Sequence, residues 1–149
     1  MIIGSKNGYP GSALSNFAPH RFTFDGIECY SMEGFLQSLK FDKCHIAVEV
    51  CKLTGLAAKS RGKSRNKRWQ SLQTLWWRGC PIPRKSDQYQ LLLRKAFKAM
   101  YEQSESFRKA LDSTKGMTLK HPIGHNDQSM TVLTEREFCK ILTDLRDSQ

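Results

Sequence analysis

Tyr89, Leu92, Leu93, Ala96 and Phe97 recur at the i, i+3, i+4 spacing of a single helical face. That spacing predicts a helix over 87–100, the clearest in the chain, with an apolar stripe that must be packed against other elements. Two more helices follow from their caps. Ser104 opens one reaching about Leu111. Thr134-Glu135-Arg136-Glu137 is a capping box for a last helix, with Phe138, Ile141, Leu142 and Leu145 facing inward. Between them, residues 115–133 form an irregular loop with glycine and histidine, long for a compact domain and so a place for function.

Strand signals are confined to the front of the chain. Residues 22–24 and 27–30 read as a hairpin about Asp25-Gly26, with Phe22, Phe24, Ile27 and Tyr30 as its buried face. Ser31 then caps a helix running through about Phe41. A second helical stretch, Lys43 to Leu53, ends at Thr54-Gly55, where glycine suits a C-terminal cap. Trp69 to Arg78 also has helical spacing, with Leu72, Leu75 and Trp76 on one side, and Gly79-Cys80-Pro81-Ile82-Pro83 breaks it. Nothing repeats and no linker divides the chain. At 149 residues it is one domain's worth. The expected class is α+β, a mainly helical single domain with a small N-terminal antiparallel hairpin.

The net charge of +10 favours polyanions, because neutralised phosphates release counterions. It is concentrated: Lys59, Arg61, Lys63, Arg65, Lys67 and Arg68 put six positive charges into ten positions. Composition leaves two readings open, a solvated basic loop and a phosphate-gripping edge beside a site. No apolar run approaches the roughly 20 residues of a membrane span, and the N-terminus lacks the blocks of a signal peptide. Five scattered cysteines fit reduced thiols better than a disulfide framework. The expectation is a soluble, cytoplasmic protein.

Several chemistries have no motif here. There is no Gly-x-Gly-x-x-Gly, Walker loop or Gly-x-Ser-x-Gly. Cys44-His45 with Cys51 lacks zinc spacing, so no metal site is expected. His121 and His125 flank Pro122-Ile123-Gly124 without a partner ligand and read as ordinary hydrogen-bonding residues. Asp127 suits an Asx-turn. Trp77 could stack a base, although adjacent tryptophans more often split between core and surface.

The helix from Ser31 is the unusual element. Phe35, Leu36 and Leu39 give its apolar face, while Glu33, Gln37 and Lys40 stand nearly above one another at i, i+4, i+7. A capping box would place the acid at position 34, which is Gly34, so Glu33 is not explained that way, although a first-turn carboxylate suits the helix dipole. Gly34 costs the helix roughly 1 kcal/mol relative to alanine, which makes sense where a chain segment or a ligand approaches closely. Periodicity does not separate a solvated stripe from a site.

Leu14-Ser15-Asn16-Phe17, Phe24-Asp25-Gly26, Tyr30-Ser31-Met32-Glu33 and Gln37-Ser38-Leu39-Lys40-Phe41 resemble the opening of the NADAR (YbiA-like) family. That opening is a Ser-Asn-Phe loop, an Asp-Gly hairpin and a helix of the form S-x-E-H-x-x-Q-x-x-K-F. Looser similarity runs through Ala58 to Gly62, Trp76 to Gly79 and Ser86 to Tyr89, and on to the 131–146 end. The chain departs from the pattern twice. Gly34 replaces the histidine after the glutamate, and Asp127-Gln128-Ser129-Met130 replaces an aspartate–aromatic–Trp-Gly element.

The resemblance implies a YbiA-like fold and N-glycosidic cleavage at ribose. Its implied substrates are ADP-ribose on guanine in DNA or RNA and, alternatively, phosphoribosylamino-pyrimidine intermediates of riboflavin synthesis. It implies catalytic roles for Glu33 and Lys40, with Asp127 at a late acidic position. It also implies ligand contacts from Ser15, Asn16, Phe17, Gln37, Lys59, Arg61, Gly62 and Trp77. Departure of the base builds oxocarbenium character at ribose C1, which a carboxylate such as Glu33 stabilises. Lys40 either holds a phosphate or hydroxyl as a cation or attacks the ring-opened sugar as an amine. The second role needs a lowered pKa, from burial near Arg61 or Lys59. No metal or redox cofactor is required. A non-catalytic ADP-ribose or NAD-binding module would keep Asn16 and the basic segment without needing Glu33 and Lys40 together. A plain nucleic-acid-binding protein rests on charge alone.

Overall fold

The computed structural model describes residues 1–149. A single turn, Gly11–Leu14 (α1), leads into the expected hairpin of Phe22–Phe24 (β1) and Ile27–Cys29 (β2), with Phe22 opposite Cys29 and Phe24 opposite Ile27. Asp25 and Gly26 take φ of 51° and 78°, the mirror-image turn whose twist matches two antiparallel strands. Ser31 then caps Met32–Ser38 (α2), its Oγ accepting from the Gly34 N–H at 3.0 Å. Beyond Ser38 the helix tightens: Leu39 N–H donates to Leu36 O and Lys40 N–H to Gln37 O. Residues three apart eclipse in such a turn, so Lys40 stands over Gln37.

Cys44–Cys51 (α3), Gly55–Lys63 (α4) and Asn66–Leu72 (α5) follow. Here two sequence expectations need correction. Gly55, at φ 51°, does not cap α3, which stops at Cys51; it opens α4. The basic segment is therefore helical, and the last turn of α4 carries Arg61 and Lys63, where cations suit the helix dipole. The close approach that Gly34 foreshadowed is made by chain: a Cβ there would lie 2.5 Å from Leu53 O and 2.8 Å from Cys51 O. Gly34 lets α2 rest on the carbonyl end of α3.

The helix expected over 69–78 is also corrected. α5 ends at Leu72, Gln73 turns left-handed at φ 49°, and Thr74–Trp77 (β3) pairs with Cys80–Pro83 (β4) about Arg78-Gly79. The apparent stripe was an accident of spacing, since Leu72 is 52% exposed while Leu75, Trp76 and Trp77 are buried. A run of large side chains buried on both faces suits a strand sandwiched in a core. Pro81 and Pro83 are tolerated because β4 is an edge with no further neighbour. Trp76 N–H donates to Leu39 O at 2.8 Å and ties this hairpin to the end of α2.

Asp87–Gln103 (α6), Glu105–Asp112 (α7) and Glu135–Asp147 (α8) are the helices read from periodicity and caps, with the Thr134–Glu137 capping box formed in both directions. One cluster of 29 buried apolar residues draws on every element but α4, so the chain closes round a single core. Arg84, fully buried, donates to both oxygens of Glu137 at 3.1 and 2.7 Å and to Thr131 O at 2.9 Å. That fastens the segment before α8 to the second hairpin. The mainly helical α+β class stands, with one more hairpin than expected. All five cysteines are free thiols, and no helix is long and apolar enough to cross a membrane.

Candidate active site

The irregular loop before α8 does not lie flat on the surface. It walls a cleft of about 550 Å³, within the roughly 300–1,000 Å³ of small-molecule sites. Glu33, Gln37 and Lys40 enter it from α2, Lys59 and Lys63 from α4, and Asn66 from α5. Ser15, Asn16 and Phe17 come from the loop after α1, and His121, His125 and Met130 from the irregular loop. The α2 stripe is thus the wall of a cavity and not a solvated face.

Backbone bonds hold the loop to the helix: Glu33 N–H donates to Asn16 O at 3.0 Å, and Ser15 Oγ accepts from Phe17 N–H at 3.2 Å. Gln37 Nε2 donates to Glu33 Oε2 at 2.7 Å. Lys40 is only 6% exposed, and its Nζ donates to Asn66 Oδ1 at 2.6 Å. The same oxygen accepts from Trp69 Nε1 at 3.4 Å. Glu33 and Lys40 do not close into an ion pair within 4.0 Å.

Burial dominates the electrostatics of both groups. It pushes the Glu33 carboxyl above its ordinary value, against the Gln37 hydrogen bond and the charges of Lys40 and Lys59. It pulls the Lys40 ammonium down to about 8, with Glu33 opposing and Lys59 reinforcing the shift. Each group is nearer its neutral form at neutral pH than it would be in water, the condition of an acid–base site. Two buried acceptors in the same place, Asn16 Oδ1 and Gln37 Oε1, have no partner in the protein. Asn16 Oδ1 is thus a buried acceptor without the partner that such atoms ordinarily have.

Other residues singled out in the sequence lie elsewhere. Gly62 faces Gln37, and its missing side chain makes room for that amide: a Cβ would sit 2.7 Å from Gln37 Cδ. Arg61 spreads over the Phe41 ring at 4.8 Å, beside Arg65 at 5.4 Å, and Lys63 is the second α4 cation in the cleft. Trp77 is no base platform: it packs on Phe24 and Phe35 at 5.3 and 5.2 Å and donates Nε1 to Asp25 Oδ2 at 2.9 Å, joining the two hairpins. Asp127 is exposed and does not line the cleft. Its Oδ1 accepts from Ser129 N–H at 2.9 Å and Ser129 Oγ at 2.6 Å, the Asx-turn its sequence suggested. Lys63, named in the sequence only as part of the basic run, lines the cleft, as do Asn66, which the sequence did not single out, and His121 and His125, read there as ordinary hydrogen-bonding residues. A loop position without a partner ligand was the only signal those histidines gave.

A short hairpin, a polar helix above it and a cleft closed by the loop before the last helix define a YbiA-like fold. The NMR structure of the E. coli protein YbiA superposes with a TM-score of 0.62 over 99% of this chain and 84% of that chain, at 20% sequence identity. The chain belongs to the Bacteriophage protein GP30.3 family, whose model matches residues 8–147. A relative from Enterobacteria phage T4, the 17.1 kDa protein of the Gp30–rIII intergenic region, is 40% identical over 149 residues, 99% of this chain and 97% of that protein.

Proposed function

We propose that the protein is an N-glycosidase that breaks the bond between ribose C1 and an exocyclic nitrogen of a base, removing ADP-ribose from guanine in DNA or RNA. One observation carries this reading. Glu33 and Lys40 are both drawn out of water in one cleft, yet they do not neutralise each other directly. A purely structural pair would close on itself, because an unpaired buried charge is costly. A binding module has no use for two titratable groups held this way.

The residue chemistry follows. Ring opening of the glycosylamine gives an imine at C1, and Lys40, part amine near pH 8, adds to that carbon. The base leaves, and water hydrolyses the Lys40–C1 Schiff base. Glu33 stabilises positive character at C1 and manages the proton of the attacking water. Asn16 Oδ1 accepts from a ribose hydroxyl, Phe17 covers the sugar or base, and Lys59 with Lys63 meets the pyrophosphate. The net charge of +10 adds attraction to a substrate carried on nucleic acid.

The test is mass spectrometry of wild type and Lys40→Ala with ADP-ribosylated-guanine DNA and a phosphoribosylamino-pyrimidine side by side. Release of ADP-ribose by wild type alone is expected. Release only from the pyrimidine moves the substrate to a diffusible metabolite, and release from neither returns the binding-module reading. Borohydride under turnover should trap the sugar on Lys40; absence of that adduct leaves Lys40 a cation that holds the substrate.

A further inference from the structure

His121 is fixed more firmly than a loop histidine needs to be. Its Nδ1 lies 2.9 Å from Ile3 O. A carbonyl only accepts, so Nδ1 carries a proton in either charge state and Nε2 is the variable nitrogen. The ring stands edge-on against Phe138 at 5.4 Å and 89°, and its backbone N–H donates to Glu135 Oε1 at 3.4 Å. Ile3 is itself held, its N–H donating to Lys120 O at 2.8 Å in a strand-like bridge. His121 lines the cleft that holds Glu33 and Lys40, and Nε2 has no hydrogen-bond partner in the protein. Ile123, 76% exposed, and Met130, 58% exposed, belong to the same loop and line the same cleft. That is an apolar seat for the face of a planar heteroaromatic ring.

We propose that the wall of His121, Ile123 and Met130 is the subsite for the departing nucleobase, and that His121 Nε2 gives the leaving nitrogen its proton. The assignment rests on the glycosidase reading above. As the C1–N bond breaks, its electron pair stays on the base nitrogen, and the Nε2 proton of the His121 imidazolium goes to that nitrogen. The water consumed in the following hydrolysis leaves its hydroxyl on C1 and its proton on Glu33, which passes it to solvent, while the imidazole regains a proton from solvent. Without a donor the base must leave as an anion, and a positioned general acid of this kind contributes typically 10²–10⁴-fold.

The experiment uses full-length protein and ADP-ribosylated-guanine DNA. His121→Asn keeps an N–H at the Nδ1 position for Ile3 O and removes Nε2. It is expected to lower kcat about 100-fold or more while melting temperature and affinity for free ADP-ribose stay at wild-type values. His121→Gly should regain turnover with added imidazole, and a series of substituted imidazoles should rescue at rates that follow the acidity of the imidazolium. Turnover by His121→Asn equal to wild type overturns the assignment, and so does a loss that no imidazole rescues. A wild type that releases neither ADP-ribose from the DNA nor base from the phosphoribosylamino-pyrimidine overturns the glycosidase reading and this assignment with it; release from the pyrimidine alone moves the same His121 comparison to that substrate.

Discussion

Lys40 and Asn66, far apart in the chain, meet in the cleft with Lys40 Nζ donating to Asn66 Oδ1 at 2.6 Å. A neutral amide oxygen accepts from an ammonium and from an amine alike, so Lys40 is held in place without being locked into its charged form. A carboxylate there would favour the cation. Asn66→Asp is therefore expected to raise Lys40 from its value of about 8 and to carry the alkaline-rising limb of kcat/KM to higher pH. A pH–rate profile decides it; an unmoved limb contradicts Lys40 acting as an amine.

The pH dependence of stability has a definite sign. Lys40 is depressed by burial, so its contribution is present above the ordinary lysine range near 10.4 and is lost as pH falls through about 8. Glu33 is raised by burial, so its contribution is present below the ordinary glutamate range near 4.3 and is lost as pH rises through its elevated value. Near neutral pH both groups cost stability. Lys40→Met should stabilise the fold by about 1–2 kcal/mol at pH 7, with less gain at pH 10, while abolishing turnover. Urea denaturation at the two pH values measures the difference, and a variant less stable at pH 7 contradicts it.

Two glycines beneath the site should fail in opposite ways when changed to alanine. At Gly34 the new methyl would meet backbone carbonyls of Leu53, Cys51 and Val50 at 2.5, 2.8 and 3.1 Å, which cannot step aside. A loss of about 2–3 kcal/mol is expected. At Gly62 the nearest obstacle is the far end of Gln37, which can rotate away at the expense of its bond to Glu33, leaving Gln37 Cβ at 3.1 Å to give by a few tenths of an ångström. Gly62→Ala should keep its stability within about 1 kcal/mol and lose at least tenfold in kcat. Thermal melts and turnover assays on the two variants separate these outcomes. Full activity in Gly62→Ala would remove Gln37 from the site.

Arg84 and Glu137 form the most buried ion pair, with side chains 0% and 8% exposed. Removing one partner strands the other charge, so Arg84→Met should cost about 3–5 kcal/mol. Because Arg84 also binds Thr131 O, and Gln73 Nε2 binds Ser129 O at 2.8 Å, the cleft wall should loosen before the core does. Hydrogen exchange is expected to rise first over residues 128–134. Uniform exchange across α6 and α8 instead would make Arg84 a core residue only.

Much of the frame was legible because its signals are local. The Asp25-Gly26 turn, the Ser31, Ser104 and Thr134 caps and the stripe of α6 each depend on residues within a few positions of one another. β3 and β4 were not legible. Leu72, Leu75 and Trp76 mimic a helical face, and only the partner strand and the core on both sides of Trp76 and Trp77 show otherwise. The site divides the same way: Glu33, Gln37 and Lys40 share a helix and were visible together, whereas Asn66, Lys63 and His121 reach the cleft from separate elements.

By itself the sequence determined which side chains α2 presents as a polar stripe and where its helix begins, since both follow from 3.6-residue periodicity and one capping serine. The tertiary structure decided what that stripe faces. Packing of α4, α5 and the loop before α8 removed water from Glu33 and Lys40, and desolvation, which no spacing encodes, shifted their protonation.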